Sequence, residues 1–307
     1  MTNNPLDYNY IAPGEESHPK HSKSTFRIQA SSIAGFIDYT SSWYGEKLLN
    51  QGGFEGNIAS YAGTVLHYMA ERLSLNGSVS QPDRDNIYAY LEEANATNPM
   101  IVADEVLERV RPMWQALKQH LLANPSSLNE PYVEFQTNHQ GIVAGGSIDS
   151  IIDLTDPDAK YTSLDELPRD HQYKLVDYKS TSAKTPPKSF SRGYHWQLLT
   201  YALALKELGI NVVTIELVFI LSEHIGEISP KTGRQMKSYP AQVHQLAKSV
   251  TSEDLLFIEG LIQLISDSVY RFITVPQDRF LLAQDGRLRL DTTPIHYADM
   301  TSRDEDI

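Results

Sequence analysis

The chain has 307 residues, 41% of them hydrophobic, enough to bury a sizeable core. No apolar run approaches the roughly 20 residues of a membrane span, and the polar stretch 1–25 lacks a signal-peptide core, so a globular cytoplasmic protein is expected. With no cysteine there are no disulfides, thiolate zinc sites or iron–sulfur clusters, and a net charge of −13 argues against a surface that is basic throughout.

Residues 1–25, rich in Asn, Pro, Ser and His without periodicity, read as a flexible segment. From Ser31 to Leu49 the apolar residues fall at helical intervals and predict two short helices, broken near Thr40-Ser41-Ser42. Gly63 to Leu73 predicts a helix with Val65, Leu66, Met69 and Leu73 on one stripe and His67 and Glu71 on another face. A longer amphipathic helix is predicted from about Asp104 to Leu122, and Pro112 should kink or split it. Beyond Asn124-Pro125 the period changes. Tyr132 to Gln136, Gly141 to Leu154 and Tyr173 to Lys179 read as a meander of strands, with a turn at Asp156-Pro157-Asp158. A helix then runs from about Ser191 to Leu208, with Gly209 as its C-terminal cap. The apolar run Val212 to Leu221 predicts a strand covered on both faces. Asp254 to Ile273 predicts a closing helix, and 291–307 reads as an acidic flexible tail.

The chemistry concentrates in Lys174-Leu175-Val176-Asp177-Tyr178-Lys179-Ser180. Alternation along a strand puts Asp177 and Lys179 on one face, their Cα atoms roughly 6.6 Å apart, leaving room for a water between the side-chain tips. Asp-x-Lys alone is unspecific, and Asp158-Ala159-Lys160 repeats it in a turn. The Asp177 copy differs because Gly145-Gly146-Ser147-Ile148-Asp149, upstream, could bring a second carboxylate beside it on an antiparallel neighbour. Two carboxylates driven together repel unless a cation joins them, which points to a hard divalent ion. The competing reading for each Asp is a surface salt bridge or turn cap, and for His67 a local pair with Glu71.

Charge is also polarised. Between Asp177 and Glu207 there is no acidic residue, while Lys179, Lys184, Lys188, Arg192 and Lys206 are cationic. From Ile228 to Ser252 a second acid-free interval holds Lys231, Arg234, Lys237 and Lys248. Basic zones beside a carboxylate pair suit a phosphodiester, although solvated loops would have the same composition.

The order Gly63-x-x-x-His67, Gly145-x-x-x-Asp149, an apolar strand into Asp177-Tyr178-Lys179-Ser180, then Gln197-x-x-x-Tyr201 resembles the RecB-like branch of the PD-(D/E)XK nuclease superfamily over about Ser31 to Leu221. The resemblance implies an α/β fold with a restriction-endonuclease-like core at 129–290, a central mixed sheet flanked by helices, and a helical elaboration at 26–128. It implies Mg²⁺ or Mn²⁺ held by His67, Asp149, Asp177 and the backbone carbonyl of Tyr178, with Glu134 a lower-ranked candidate. Asp149, Asp177 and Lys179 would be catalytic. Gln197 and Tyr201 would lie near DNA, with Lys184, Lys188 and Arg192 as further nucleic-acid contacts. Without cysteines or a phosphate-binding Gly-Lys-Ser/Thr loop, the chain resembles stand-alone exonucleases, which resect duplex ends, often beside a strand-annealing or recombination protein and sometimes as a ring of subunits. A nuclease-fold binding module that does not cleave, and a structure-selective or RNA-directed endonuclease, remain as alternatives.

Overall fold

The structure, a computed structural model, describes residues 26–49, 51, 56–226, 228, 231, 233–283 and 288–290. The flexible segments expected at 1–25 and 291–307 lie outside the described residues. In chain order the elements are β1 (Phe26–Gln29), α1 (Ile33–Asp38), α2 (Thr40–Leu48), α3 (Ile58–Asn76), α4 (Gln81–Thr97), α5 (Ala103–Ala123), β2 (Leu128–Asn129) and β3 (Tyr132–Gln136). There follow β4 (Ile142–Ser147), β5 (Ser150–Asp153), β6 (Gln172–Thr181), α6 (Arg192–Glu207), β7 (Asn211–Leu221), β8 (Gln242–Ser249), α7 (Ser252–Thr274) and α8 (Arg279–Leu282).

Local chemistry sets the helix ends. Asn57 and Ser60 form a reciprocal capping box at the start of α3, and Gly77, at φ 71°, ends it. Ser80 and Asp83 do the same for α4, whose stripe of Ile87, Leu91 and Ala94 is too thin for periodicity alone to show. α5 runs as one helix through Pro112, so the expected split does not occur. Val106, Val110, Met113, Leu117 and Leu121 are buried along its whole length, and that continuous burial outweighs one missing backbone hydrogen bond.

The predicted strand at Gly141 to Leu154 is two strands, β4 and β5, parted at Ile148-Asp149, and they belong to different sheets. Among the described residues, β4 pairs antiparallel with β3 and parallel with β1 in a three-stranded sheet, β1-β4-β3. β5 enters a five-stranded mixed sheet, β2-β5-β6-β7-β8. The meander is therefore partly corrected: β3–β4 and β5–β6 are antiparallel neighbours, but the chain changes sheet between β4 and β5; beyond it, β6 and β7 are parallel, as strands joined through a helix such as α6 can be.

Alternation along β6 and β7 directs Tyr173, Leu175, Ile215, Leu217, Phe219 and Leu221 into a core shared with α1, α2, α6 and α7. Val176, Tyr178, Val218 and Ile220 face the other way, into a core shared with α3, α4 and α5. β7 is thus covered on both faces, and the stretch 26–128 is divided between the two cores. Among the described residues, no helix is long and apolar enough to cross a membrane.

The end of β5 carries a buried anchor. Asp153 accepts hydrogen bonds from His171 Nδ1 (2.6 Å), Tyr161 Oη (2.8 Å) and the N–H groups of Thr155 (2.8 Å) and Asp156 (3.0 Å). Burial opposes its charge, but these donors outweigh burial and hold the carboxyl below its ordinary range, while the bond to Asp153 holds His171 above its own. The Asp153 contribution to stability is present above about pH 3.9 and lost as pH falls through its lowered value. The His171 contribution is complete below about pH 6.5 and lost as pH rises through its raised value. Thermal denaturation between about pH 6 and pH 8.5 should therefore show Tm falling in the wild type and a flatter profile in His171→Gln. Parallel profiles would remove this pair as the cause.

Candidate active site

β6 presents Asp177 and Lys179 on the face that meets α6. The room expected between their tips is closed by a direct ion pair, with Lys179 Nζ donating to Asp177 Oδ1 at 2.9 Å. Gln197, on α6, donates to the same oxygen at 3.2 Å and to Tyr201 Oη at 3.3 Å. Gln197 and Tyr201 are both buried, forming a floor that holds Asp177 rather than an exposed face. β4 passes close above them. A Cβ at Gly146 would stand 3.2 Å from Tyr201 Oη, tighter than ordinary contact, and one at Gly145 would stand 2.0 Å from the Val133 carbonyl of the neighbouring strand, which leaves no room for a side chain.

Asp149 sits in the bend between β4 and β5. Its Oδ2 accepts the Tyr178 N–H at 2.6 Å, and its Oδ1 lies 3.4 Å from His67 Nδ1. His67 comes from the opposite layer, on α3. One turn earlier, a Cβ at Gly63 would meet Ser180 Oγ at 3.1 Å, so the small residue lets α3 settle onto the end of β6. The strand, the bend and the helix thus bring His67, Asp149, Asp177 and Lys179 together. The repeat at Asp158-Ala159-Lys160 lies outside the strands, with Lys160 Nζ bonded to the Ser126 carbonyl.

Burial dominates the electrostatics. It pushes the Asp177 carboxyl up to about 6, with the Asp149 charge adding to the effect and Lys179 and His67 opposing it. At Asp149 burial acts the same way but is outweighed by the charge and hydrogen bond of His67, by Lys179 and by the Tyr178 N–H, and the carboxyl lies below its ordinary range. Burial works against the cations too, yet Asp149 raises His67, and Asp177 with Asp149 raises Lys179. The Lys179 bond alone would lower Asp177, so its rise measures how poorly solvated that carboxylate is. Asp177 Oδ2 is buried and has no hydrogen-bond partner among the described residues.

Two clefts meet at this cluster, and both are lined by His67 and Lys179. One, of about 330 Å³, reaches Asp149, Asp177 and Gln197 and is bounded by Arg27, Gln29 and Ser31. The other, of about 400 Å³, lies between α3 and β6, with Ser60, Thr64, Tyr68, Glu71 and Tyr194 in its walls. Sequence reasoning did not single out Arg27, Ser31 or Tyr194. Lys179 Nζ stands over the Tyr194 ring, 5.2 Å from its centre, and the only signal for that was its place one helical turn before Gln197.

The remaining candidates lie further out. Glu134 lines neither cleft; it accepts a hydrogen bond from Tyr132 and lies 3.8 Å from Arg27 Nε. Lys184 and Lys188 are exposed in the loop between β6 and α6. Arg192 pairs with Asp38 and stacks over Trp196, 5.1 Å from the ring centre.

A buried carboxylate oxygen without a partner, beside a second carboxylate and an imidazole, fits a hard divalent cation. The fit requires rearrangement, because no three His, Asp or Glu side chains among the described residues already stand close enough together to hold an ion. Lys179 occupies Asp177 Oδ1 in their place.

No curated protein matches the chain in sequence. Among solved structures, a provisionally assigned exonuclease from Eubacterium rectale is 13% identical, with 91% of this chain and 94% of that one covered and a TM-score of 0.46. LHK-Exo, solved in complex with dAMP, is 10% identical, with 74% and 99% covered and a TM-score of 0.28. The family model of the PD-(D/E)XK nuclease superfamily matches residues 42–272, a span that covers most of the chain and contains His67, Asp149, Asp177, Lys179, Gln197 and Tyr201. The chain therefore belongs to the PD-(D/E)XK nuclease superfamily.

Proposed function

We propose that this protein is a Mg²⁺- or Mn²⁺-dependent deoxyribonuclease that hydrolyses phosphodiester bonds from DNA ends. The observation that carries the reading is the buried, unpartnered Oδ2 of Asp177 in a cleft it shares with Asp149, His67 and Lys179. His67, Asp149, Asp177 and the Tyr178 carbonyl would hold the cation, which when bound supplies Lewis-acid stabilisation of the charge that builds on the phosphate. Lys179, at the junction of the two clefts, donates a hydrogen bond that orients the attacking water. Gln197 keeps Asp177 in position, and Tyr201 keeps Gln197. The end-directed mode rests on the resemblance to stand-alone members of the family.

A second reading, nucleic-acid binding without cleavage, is favoured by the ion pair that Lys179 makes with Asp177 and by the unassembled ligand set.

One assay separates the two. Labelled linear DNA should be degraded with Mg²⁺ or Mn²⁺ and left intact with EDTA, and Asp177→Ala and Lys179→Ala should each lose at least about 100-fold in rate. Binding by all three proteins with no cation-dependent cleavage by any of them would establish the second reading.

Cation binding also has a readout independent of turnover. A ligand at about 100 times its Kd stabilises the folded state by about 2.7 kcal/mol, so Mg²⁺ or Mn²⁺ should raise the Tm of the wild type by about 5 °C. Asp177→Asn should lose most of that shift; an undiminished shift would place the cation elsewhere.

Closed circular DNA should be spared under conditions that consume the linear form. Cleavage of circles at a comparable rate would replace end-directed action with an endonuclease, and faster cleavage of RNA would change the substrate.

A further inference from the structure

The second acid-free interval takes no part in the site just described, but the segment that leads into it leaves the sheet beside that site. β6 and β7 are parallel, so the end of β7 at Leu221 lies next to Thr181, two residues beyond Lys179, and the Ser222 N–H bonds to the Thr181 carbonyl at 2.9 Å. From there the chain leaves the sheet and returns at Gln242 to start β8. The two limbs form an antiparallel ribbon. His224 and Tyr239 exchange both backbone hydrogen bonds at 2.8 Å, and Ile228 bridges Gln235. Gly226 N–H donates to Ser238 Oγ at 2.9 Å, and a Cβ at Gly226 would stand 2.0 Å from the Met236 carbonyl, so the limbs are drawn tightly together there. The ribbon base is tied back to the active-site strand, because the His224 ring bonds to the Ser182 carbonyl at 2.8 Å.

The composition of this ribbon is unusual for a surface arm. Lys231, Arg234 and Lys237 are exposed on or near the returning limb, which holds no acidic residue, while the outgoing limb carries Glu223 and Glu227, so cations outnumber acids on the arm by three to two. Ile225 is 79% exposed, Ile228 65% and Met236 44%. Alternation puts Ile225, Arg234 and Met236 on one face and Ile228 and Lys237 on the other. A protein this acidic overall that sets cations and bare apolar side chains on a two-stranded arm presents a surface complementary to a polyanion with apolar edges within reach. A two-stranded ribbon is of a size that the major groove of duplex DNA admits, where thymine methyls offer apolar contact. At about 3.3 Å per residue, Ile228 lies about 13 Å along the limb from His224.

We infer that the β7–β8 ribbon is a duplex-docking arm: Arg234 and Lys237 contact backbone phosphates and Ile225 and Met236 contact base edges in the groove, which holds intact duplex beside the cleft. The inference rests on the nuclease reading only for the identity of the polymer. The arm supplies affinity and register on duplex and takes no part in hydrolysis.

The test compares wild type, Arg234→Ala/Lys237→Ala and Ile225→Ser/Met236→Ser. Affinity is measured by fluorescence anisotropy in EDTA on a duplex of about 24 base pairs, roughly two helical turns. Hydrolysis of a labelled tetranucleotide is measured separately with Mg²⁺ or Mn²⁺. The cation variant should bind duplex about 10-fold more weakly, with its salt dependence reduced by about 2 in the slope of log K against log salt, as expected for two lost phosphate contacts. The apolar variant should weaken binding with the salt slope unchanged. Both should hydrolyse the tetranucleotide at the wild-type rate. Unchanged duplex affinity in both variants overturns the inference while leaving the nuclease reading in place. If wild type cleaves nothing but the variants lose duplex affinity, the arm stands and the nuclease reading falls. Unchanged duplex affinity with a lower molar mass in sedimentation would make the ribbon a contact between copies of the chain, also overturning it. Equal losses on the tetranucleotide would place the ribbon in the cleft itself and overturn the proposed division of labour.

Discussion

Asp177 is buried and Asp149 nearly so, close enough for their charges to interact, and the structure around them is organised to tolerate that proximity. Two carboxylates withdrawn from water are costly, and the cost rises steeply when they share a low-dielectric pocket. His67 and Lys179 offset it with two positive charges, the Tyr178 N–H and the Gln197 amide with hydrogen bonds. Compensation is uneven. Asp149 has a partner at each oxygen, the Tyr178 N–H at one and the His67 ring in ion-pair contact at the other, whereas Asp177 has two donors on one oxygen and none on the other. The remaining imbalance sits at the Asp177 oxygen without a partner, and burial, left uncompensated there, holds that carboxyl above its ordinary range.

Each compensating group arrives from a different part of the chain, and the architecture is arranged to make that convergence possible. Lys179 comes with the strand itself, Gln197 from the crossover helix on one face, and His67 from a helix of the opposite layer. Three glycines remove the material that would keep these elements apart. Gly63 lets α3 approach β6, Gly146 makes room for the Tyr201 hydroxyl, and Gly145 lets β4 lie against β3. Close approach of backbones, rather than any unusual side chain, is what turns ordinary secondary structure into a pocket.

The parts of this arrangement that depend on local periodicity were legible in the sequence. Alternation placed Asp177 and Lys179 together, the apolar run of β7 announced a doubly covered strand, and Gly209 marked the end of α6. Features that depend on distant partners were not. Local periodicity does not say that the chain changes sheet between β4 and β5; the pairing of β4 with β1 and β3, and of β5 with β6, shows it. Helical spacing put Gln197 and Tyr201 on one face but could not tell whether that face was open or covered. The Arg27 partner of Glu134 was equally hidden, since it comes from β1, far earlier in the chain, across β4 in the same sheet. The basic intervals were visible as charge, while the ribbon that the second of them partly forms depends on backbone pairing across residues that show little strand propensity.

The bend at Ile148-Asp149 is a joint between two sheets, and it bears one of the two carboxylates, while the other is embedded in the five-stranded sheet. A group held by both acids would therefore tie one sheet to the other across the bend, so the pocket is also a seam in the architecture.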